Sequence, residues 1–173
     1  MRATPIAATA VAGLLLLTAC DDAESDGKRT GATPSPDGVS MEAGPASVAP
    51  AAGDIGEVPV SFTVQGATCT LNGFPEVRLA GAGDPATAEV PPAEGATAQK
   101  LTLAEGESAS FTLTYERGTR RQGGFDAENL HVGVDCGTGG GGTRIFPWSY
   151  GPVAADGRAG YKVSVSAYQR MGD

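Results

Sequence analysis

Hydrophobic and polar residues alternate along several short stretches of this chain. From Val58 to Val64, hydrophobic residues at every second position are separated by Pro59, Ser61 and Thr63. Such alternation places one face of a strand in a core and the other in solvent. Similar short runs lie around residues 77–79, 101–103, 111–115, 130–134, 145–148 and 161–167. The pattern therefore predicts about seven strands.

Turn signals separate these runs, and no stretch shows a helical period of 3.6 residues. Asn72-Gly73, Glu105-Gly106 and Asp156-Gly157 are typical of tight turns. About seven short strands at this spacing predict an all-β fold, an antiparallel immunoglobulin-like β-sandwich. Because Trp148 follows both of the late cysteines, the Cys-Trp-Cys order of true immunoglobulin domains is absent. We therefore expect the domain to resemble immunoglobulin domains in its architecture only.

The first 19 residues have the features of a signal peptide. Arg2 precedes an uncharged, mostly apolar run from Ile6 to Leu17, which is too short to span a bilayer. The run ends in Leu17-Thr18-Ala19-Cys20, which resembles a lipobox, the cleavage signal of bacterial lipoproteins. The resemblance implies cleavage before Cys20, a diacylglyceryl group on its sulfur, and a position on the extracytoplasmic face of the cell membrane. The alternative is an ordinary secretory peptide with a chance cysteine.

The chain has three cysteines, Cys20, Cys69 and Cys136. If Cys20 carries lipid, two remain in a protein that is exported to an oxidising compartment, so a Cys69–Cys136 disulfide is favoured. The alternative is a metal site or a reactive thiol. No CxxC spacing occurs, and a single histidine is too few for the common zinc ligand sets.

Residues 20–57 differ in composition from the rest of the chain. Asp21 to Glu57 contains no aromatic residue, and its eight acidic and two basic residues give a charge of −6. Low hydrophobicity with charge of one sign predicts a disordered tether. The expected β-domain, residues 58–173, carries twelve acidic and nine basic residues. The total charge of −8 argues against nucleic acid as a partner.

Within the β-domain, Cys69-Thr70-Leu71-Asn72-Gly73-Phe74-Pro75 is similar to the C-T-L-x-G-[FY]-P segment of an exported actinobacterial family, domain of unknown function 4232. Residues 101–110 resemble its L-x-P-G-x-S-A segment, and residues 135–137 resemble the surroundings of its late cysteine. The chain departs from the family in having Ala104 where proline is usual, and in lacking a further cysteine pair. The resemblance implies an exported β-sandwich and brings no activity with it.

Two features favour binding. Arg117, Arg120 and Arg121 form a small basic loop in what the pattern predicts to be a hairpin region, on an acidic protein, and can contact an anionic wall polymer or an acidic partner. The alternative is a solvated turn. Trp148 and Tyr150 belong to the densest aromatic stretch, which either stacks on a ligand from the surface or fills the core.

Features that might carry catalysis are weaker. The only histidine, His131, falls on the polar side of a strand, without a serine elbow. The glycines at 137–142 formally fit GxGxxG, but no helix follows them. Glu105 and Glu107 flank a turn, and Asp126 lies in a polar loop, so solvated turns are the better interpretation.

We therefore expect a lipid-anchored, non-enzymatic binding or scaffold module at the cell surface. It needs no cofactor or metal, and its partners are the membrane and a cell-wall polymer or exported protein. The alternative is an accessory factor or enzyme of the cell envelope with a site that the sequence does not announce.

Overall fold

The protein is described here from a computed structural model, which covers residues 38–83, 86–137, 141–158 and 160–172. The expected signal peptide, Cys20 and the first part of the expected tether lie outside the described residues. Within these ranges the structure has eleven strands: β1 (Val39–Ala43), β2 (Ile55–Val64), β3 (Cys69–Leu71), β4 (Glu76–Gly81), β5 (Thr87–Glu89), β6 (Leu101–Leu103), β7 (Ser108–Glu116), β8 (Ala127–Asp135), β9 (Gly141–Pro147), β10 (Val163–Val165) and β11 (Gln169–Arg170).

The strands form two antiparallel sheets and one small pair. The first sheet has the order β1-β2-β7-β10, with β11 also pairing with β7, and the second has the order β5-β4-β8-β9. β3 pairs only with β6. The prediction of an all-β sandwich is confirmed. Among the described residues, no helix is long or apolar enough to span a membrane.

The strand order is that of an immunoglobulin-like sandwich. In such domains, strands A, B and E lie side by side in one sheet, and C, F and G in the other. Here β1-β2-β7 and β4-β8-β9 follow that arrangement. The edge position of strand D is taken by β10 and β11, which come from the end of the chain.

Alternating side chains from both sheets build one core. In the register of β2 and β7, Val60 lies opposite Phe111, and both are buried. In the second sheet, Val77 on β4 lies opposite Val132 on β8, and both are again buried. The hydrophobic positions that predicted these strands are therefore their inward faces.

A disulfide joins Cys69 on β3 to Cys136, which directly follows β8. Both cysteines are buried, and the backbone N–H of Thr70 donates to the carbonyl of Cys136 at 3.2 Å. The predicted pairing is present. It ties the small β3–β6 pair to the end of the second sheet.

The expected boundary between tether and domain at residue 58 needs correction. Residues 38–57 do not form a tether: Val39–Ala43 is the edge strand β1, and it pairs with β2 from Val39↔Val64 to Ala43↔Val60. Val39 and Met41 are buried in the core. Because the segment is rich in Gly, Pro, Ser and Ala, its composition did not predict a strand. The strand is stabilised by pairing with β2 and by the burial of these two side chains.

The expected hairpin between residues 116 and 125 also needs correction. β7 and β8 lie in different sheets, so the segment between them is a crossover from one sheet to the other. It contains a short 3-10 turn, Arg120–Gln122, which ends at Gly123 in the left-handed conformation (φ 75°). The crossover brings the three arginines to one end of the sandwich.

Candidate binding site

Three chain segments meet at that end of the sandwich: residues 49–54 before β2, residues 117–126 after β7, and residues 151–153 after β9. Backbone hydrogen bonds join them. The N–H of Gly53 donates to the carbonyl of Arg117 at 2.7 Å, and the N–H of Arg117 donates to the carbonyl of Asp54 at 2.9 Å. The N–H of Gly118 donates to the carbonyl of Pro152 at 2.8 Å. The site is therefore held on a backbone frame, although it lies in loops.

The three segments surround an open depression of about 730 Å³, which we call the arginine pocket. Its lining consists of Pro50, Ala51, Ala52, Arg117, Gly118, Thr119, Arg120, Arg121, Asp126, Gly151 and Pro152. The three arginines singled out from the sequence thus all line the same pocket.

Arg117 is the best-fixed of the three. Its Nη1 donates to the carbonyls of Ala49, at 2.9 Å, and Pro50, at 3.0 Å. A guanidinium nitrogen of this kind carries two hydrogens, so Nη1 is fully used. Nε and Nη2 make no hydrogen bond with any described residue. Neither nitrogen is among the side-chain atoms that are fully buried without a partner. These two donors are therefore available to a ligand.

Arg120 and Arg121 are exposed and differ in their partners. Nη2 of Arg120 pairs with Oδ2 of Asp126 at 2.5 Å, in a pair whose side chains are 75% and 39% exposed. An ion pair this exposed contributes little to stability, but it cancels one positive charge of the pocket. Arg121 has no salt bridge to a described residue. Of the arginines that line the pocket, Arg117 and Arg121 therefore have no carboxylate partner among the described residues. The nearby carboxylate of Asp54 accepts a hydrogen bond from the N–H of Ala51 at 2.9 Å.

Two glycines allow the close approach of the segments. A Cβ on Gly118 would lie 2.6 Å from the Cα of Ala154, so only glycine fits between the crossover and the segment that follows β9. Gly151 has φ +85°, and a Cβ there would lie 3.0 Å from Nε of Arg117 and 3.4 Å from Nη2. The missing side chain at Gly151 leaves open the edge of Arg117 that has no protein partner.

Trp148 and Tyr150 lie beside this pocket. Trp148 is 7% exposed, and its Nε1 donates to the carbonyl of Gly151 at 2.7 Å. Its ring packs edge-on against Tyr115, with centroids 5.1 Å apart, and against Tyr150, at 4.9 Å. Tyr150 is partly buried, and this burial, together with nearby Tyr115, raises the pKa of its hydroxyl. Trp148 therefore supports Gly151 from the core side and offers little surface to a ligand.

The aromatic cluster also anchors the segment before β2. Tyr115 is buried at the end of β7, and its hydroxyl accepts a hydrogen bond from the N–H of Ala49 at 3.2 Å. The same Ala49 presents its carbonyl to Arg117. The positions of Arg117 and of the residues 49–52 are thus fixed from two sides.

The other candidate residues lie elsewhere. His131 is on the outward face of β8, between Arg78 on β4 and Ile145 on β9, and it lines a separate, smaller depression of about 340 Å³. Neither strand neighbour supplies an acid to orient it. Glu107 accepts hydrogen bonds from the N–H of Ala104 and from Arg170, both at 2.6 Å, which lower its pKa. No group of three or more metal-ligating side chains occurs in the described ranges.

Sequence reasoning missed half of the pocket wall. Pro50, Ala51 and Ala52 fell in the expected tether, and Gly151 and Pro152 carry no chemistry of their own. The carbonyls that fix Arg117 are groups that every residue has, so no residue type announces them. The available signal was the alternation of Val39 and Met41 ahead of residue 49.

A family model described as Domain of unknown function (DUF4232) matches residues 35–169. The match includes β1 and so agrees with the earlier start of the domain. Neither a curated protein nor a solved structure matches the chain.

Proposed function

The chain belongs to the family called Domain of unknown function (DUF4232), and from that premise we propose that it is a lipid-anchored, non-enzymatic binding module on the outer face of the cell membrane. Its arginine pocket contacts an anionic component of the cell envelope. The observation that carries the proposal is this pocket, in which Arg117 and Arg121 present unpaired donors on a chain whose net charge is −8.

The chain is acidic as a whole but basic at the arginine pocket, and this contrast supports a specific binding site over general adhesion. A protein with a large negative charge is repelled from polyanions unless cations are locally concentrated. Here the arginines are concentrated in one pocket. The guanidinium of Arg117 is held by two backbone carbonyls at 2.9 Å and 3.0 Å. Because Arg117 is already ordered, binding does not have to fix its long side chain, which lowers the entropic cost of association.

The N-terminal sequence supports the anchor. Leu17-Thr18-Ala19-Cys20 has the form of a lipobox, and two acyl chains hold a protein on a bilayer stably. Because β1 begins at Val39, only residues 21–38 would lie between the lipid and the first strand of the domain. The module would then read the layer directly above the membrane.

Two measurements test the proposal. The intact mass of the chain purified from its own membranes should show a diacylglyceryl group on Cys20. The same full-length protein in detergent should sediment with envelope fragments from its own cells, and salt should release it, because exposed charges are screened within a Debye length of about 8 Å at physiological ionic strength.

Arg78→Gln serves as the matched control, because it removes one positive charge from the outer face of the second sheet. Arg121→Gln should weaken sedimentation and Arg78→Gln should not. An unlipidated chain would contradict the anchor, and equal sedimentation of both variants would contradict the pocket.

A further inference from the structure

We infer that the arginine pocket recognises a singly charged oxyanion repeated along a linear polymer, such as a phosphodiester, with the Nε–Nη2 edge of Arg117 as the reading group and Arg121 as a second cation. The inference rests on the proposed function and names its ligand class.

The first step is the orientation of Arg117. Its Nη1 is occupied by the carbonyls of Ala49 and Pro50, so the guanidinium plane cannot turn freely. The remaining donors, one on Nε and two on Nη2, lie on the side facing Gly151. The N–H bonds of Nε and Nη2 on this edge run parallel, which matches two oxygens of a phosphate or carboxylate.

The second step is access. A side chain at position 151 would begin 3.0 Å from Nε, and glycine leaves that space empty. Trp148 holds the carbonyl of Gly151 at 2.7 Å, which keeps this backbone in place beside the arginine. No side chain at position 151 therefore crowds Nε and Nη2, and Arg117 is itself part of the pocket lining.

The third step is the shape of the ligand. A stable protein–protein interface buries about 800 Å² on each partner, so it would extend well beyond the pocket. Asp126 already neutralises Arg120 within the pocket, and Glu116, the chain neighbour of Arg117, pairs with Lys162. An acidic protein would meet these carboxylates. A linear chain with one charge per repeat needs only the two free cations.

The test uses the full-length protein in detergent and two soluble probes, a glycerol phosphodiester oligomer and a galacturonate oligomer, with neutral dextran as a blank. Binding is measured by calorimetry at low salt. Arg121→Gln and Arg117→Gln should each weaken binding of the preferred probe by between about tenfold and a hundredfold, the usual value of a hydrogen bond to a charged group. Arg78→Gln should leave it within about twofold.

Arg117→Lys separates recognition from charge. The lysine keeps the positive charge but presents a point cation without the fork. The inference predicts a loss of about tenfold for Arg117→Lys, while a purely electrostatic attraction predicts no loss. Thermal unfolding of each variant shows whether it is folded. If the Arg117 variants do not fold, Arg121→Gln still tests the inference, because Arg121 is exposed and its loss should not affect folding.

The outcomes are distinguishable. Preference for either charged probe supports the inference and identifies the oxyanion as phosphodiester or carboxylate. Failure of both probes, while the protein still sediments with envelope fragments, overturns the inference and leaves the proposed function standing. Equal losses in Arg78→Gln and Arg121→Gln also overturn it, because binding would then follow total charge. Failure to sediment at all overturns the proposed function itself.

Discussion

Removal of the disulfide should cost this domain much of its stability. Cys69 and Cys136 are 67 residues apart in the chain. Their disulfide bond joins β3 to the end of β8 and stays intact when the domain unfolds. In the double variant Cys69→Ala/Cys136→Ala, the unfolded chain regains the freedom of a loop of that length. The chain-entropy relation for such a loop gives about 4.4 kcal/mol at 25 °C.

This loss is large beside the 5–15 kcal/mol that typically separates a folded domain from its unfolded state. The two buried sulfur atoms also leave small voids, which add to the loss. The backbone hydrogen bond from Thr70 to Cys136 does not involve the sulfurs, so it persists in the variant. We therefore expect a folded but weakened domain.

The assay is equilibrium unfolding in urea, followed by the fluorescence of Trp148, the only tryptophan in the chain. The free energy of unfolding should fall by between about 3 and 5 kcal/mol in the double variant. Wild type treated with a reductant keeps both sulfur atoms, so it should lose only the loop contribution of about 4 kcal/mol. A difference below about 1 kcal/mol in both experiments would refute the reasoning, because the bond would then not be restricting the unfolded chain.

Three further predictions concern single side chains. Trp148→Phe removes the donor to the Gly151 carbonyl, so it should lower the free energy of unfolding by about 1–3 kcal/mol and also weaken polymer binding; unchanged binding would show that Gly151 needs no support. Glu107→Gln should be less stable than wild type at neutral pH. The pKa of Glu107 is lower in the folded state than its unfolded value of 4.5, so the ionised carboxylate stabilises the fold at pH values above 4.5. Thermal unfolding should show this difference shrinking as pH falls below 4.5 and through the folded pKa, and a constant difference would exclude the ionised carboxylate as its cause. Arg144 lies on edge strand β9 opposite buried Val132, and its Nε is buried without a hydrogen-bond partner among the described residues. Arg144→Val should therefore raise stability by about 1 kcal/mol but promote association through the edge, visible by light scattering, whereas Thr143→Val on the outward face should do neither.

The sequence predicted the long strands because each has one buried face. β2 and β7 bury every second residue along their whole length, and β8 does so from Leu130 to Val134, so the alternation is visible without a structure. β3, β5 and β11 contain only two or three residues. A strand of two or three residues shows at most one alternation, so the pattern predicted β6 and β10 but did not separate β3, β5 and β11 from loops. Such short strands depend on the partners that the tertiary fold brings to them.

β1 was missed for a related reason. Its hydrophobic residues, Val39 and Met41, stand among Gly, Pro, Ser and Ala, and this composition is typical of a tether. The strand forms because β2 offers it an unpaired edge along five residue pairs. That edge is a property of the folded sheet, which local composition does not contain.

The candidate site was half predictable. Arg117, Arg120 and Arg121 stand out as a basic cluster in an acidic chain, but their meeting with residues 49–52 and 151–152 is a long-range consequence of the crossover between sheets. The part played by Trp148 was one of two alternatives, and its burial together with the bond to Gly151 places it beneath the pocket.

We propose the arginine pocket as the contact surface for an anionic envelope component. The most direct test titrates the anionic polymer fraction, released from the envelope of the protein's own cells, into the isotopically labelled full-length chain and follows each backbone amide by NMR. The account predicts shifts concentrated in residues 49–54, 117–126 and 151–153. Shifts concentrated instead on the outer face of the second sheet, around Arg78 and His131, would contradict it.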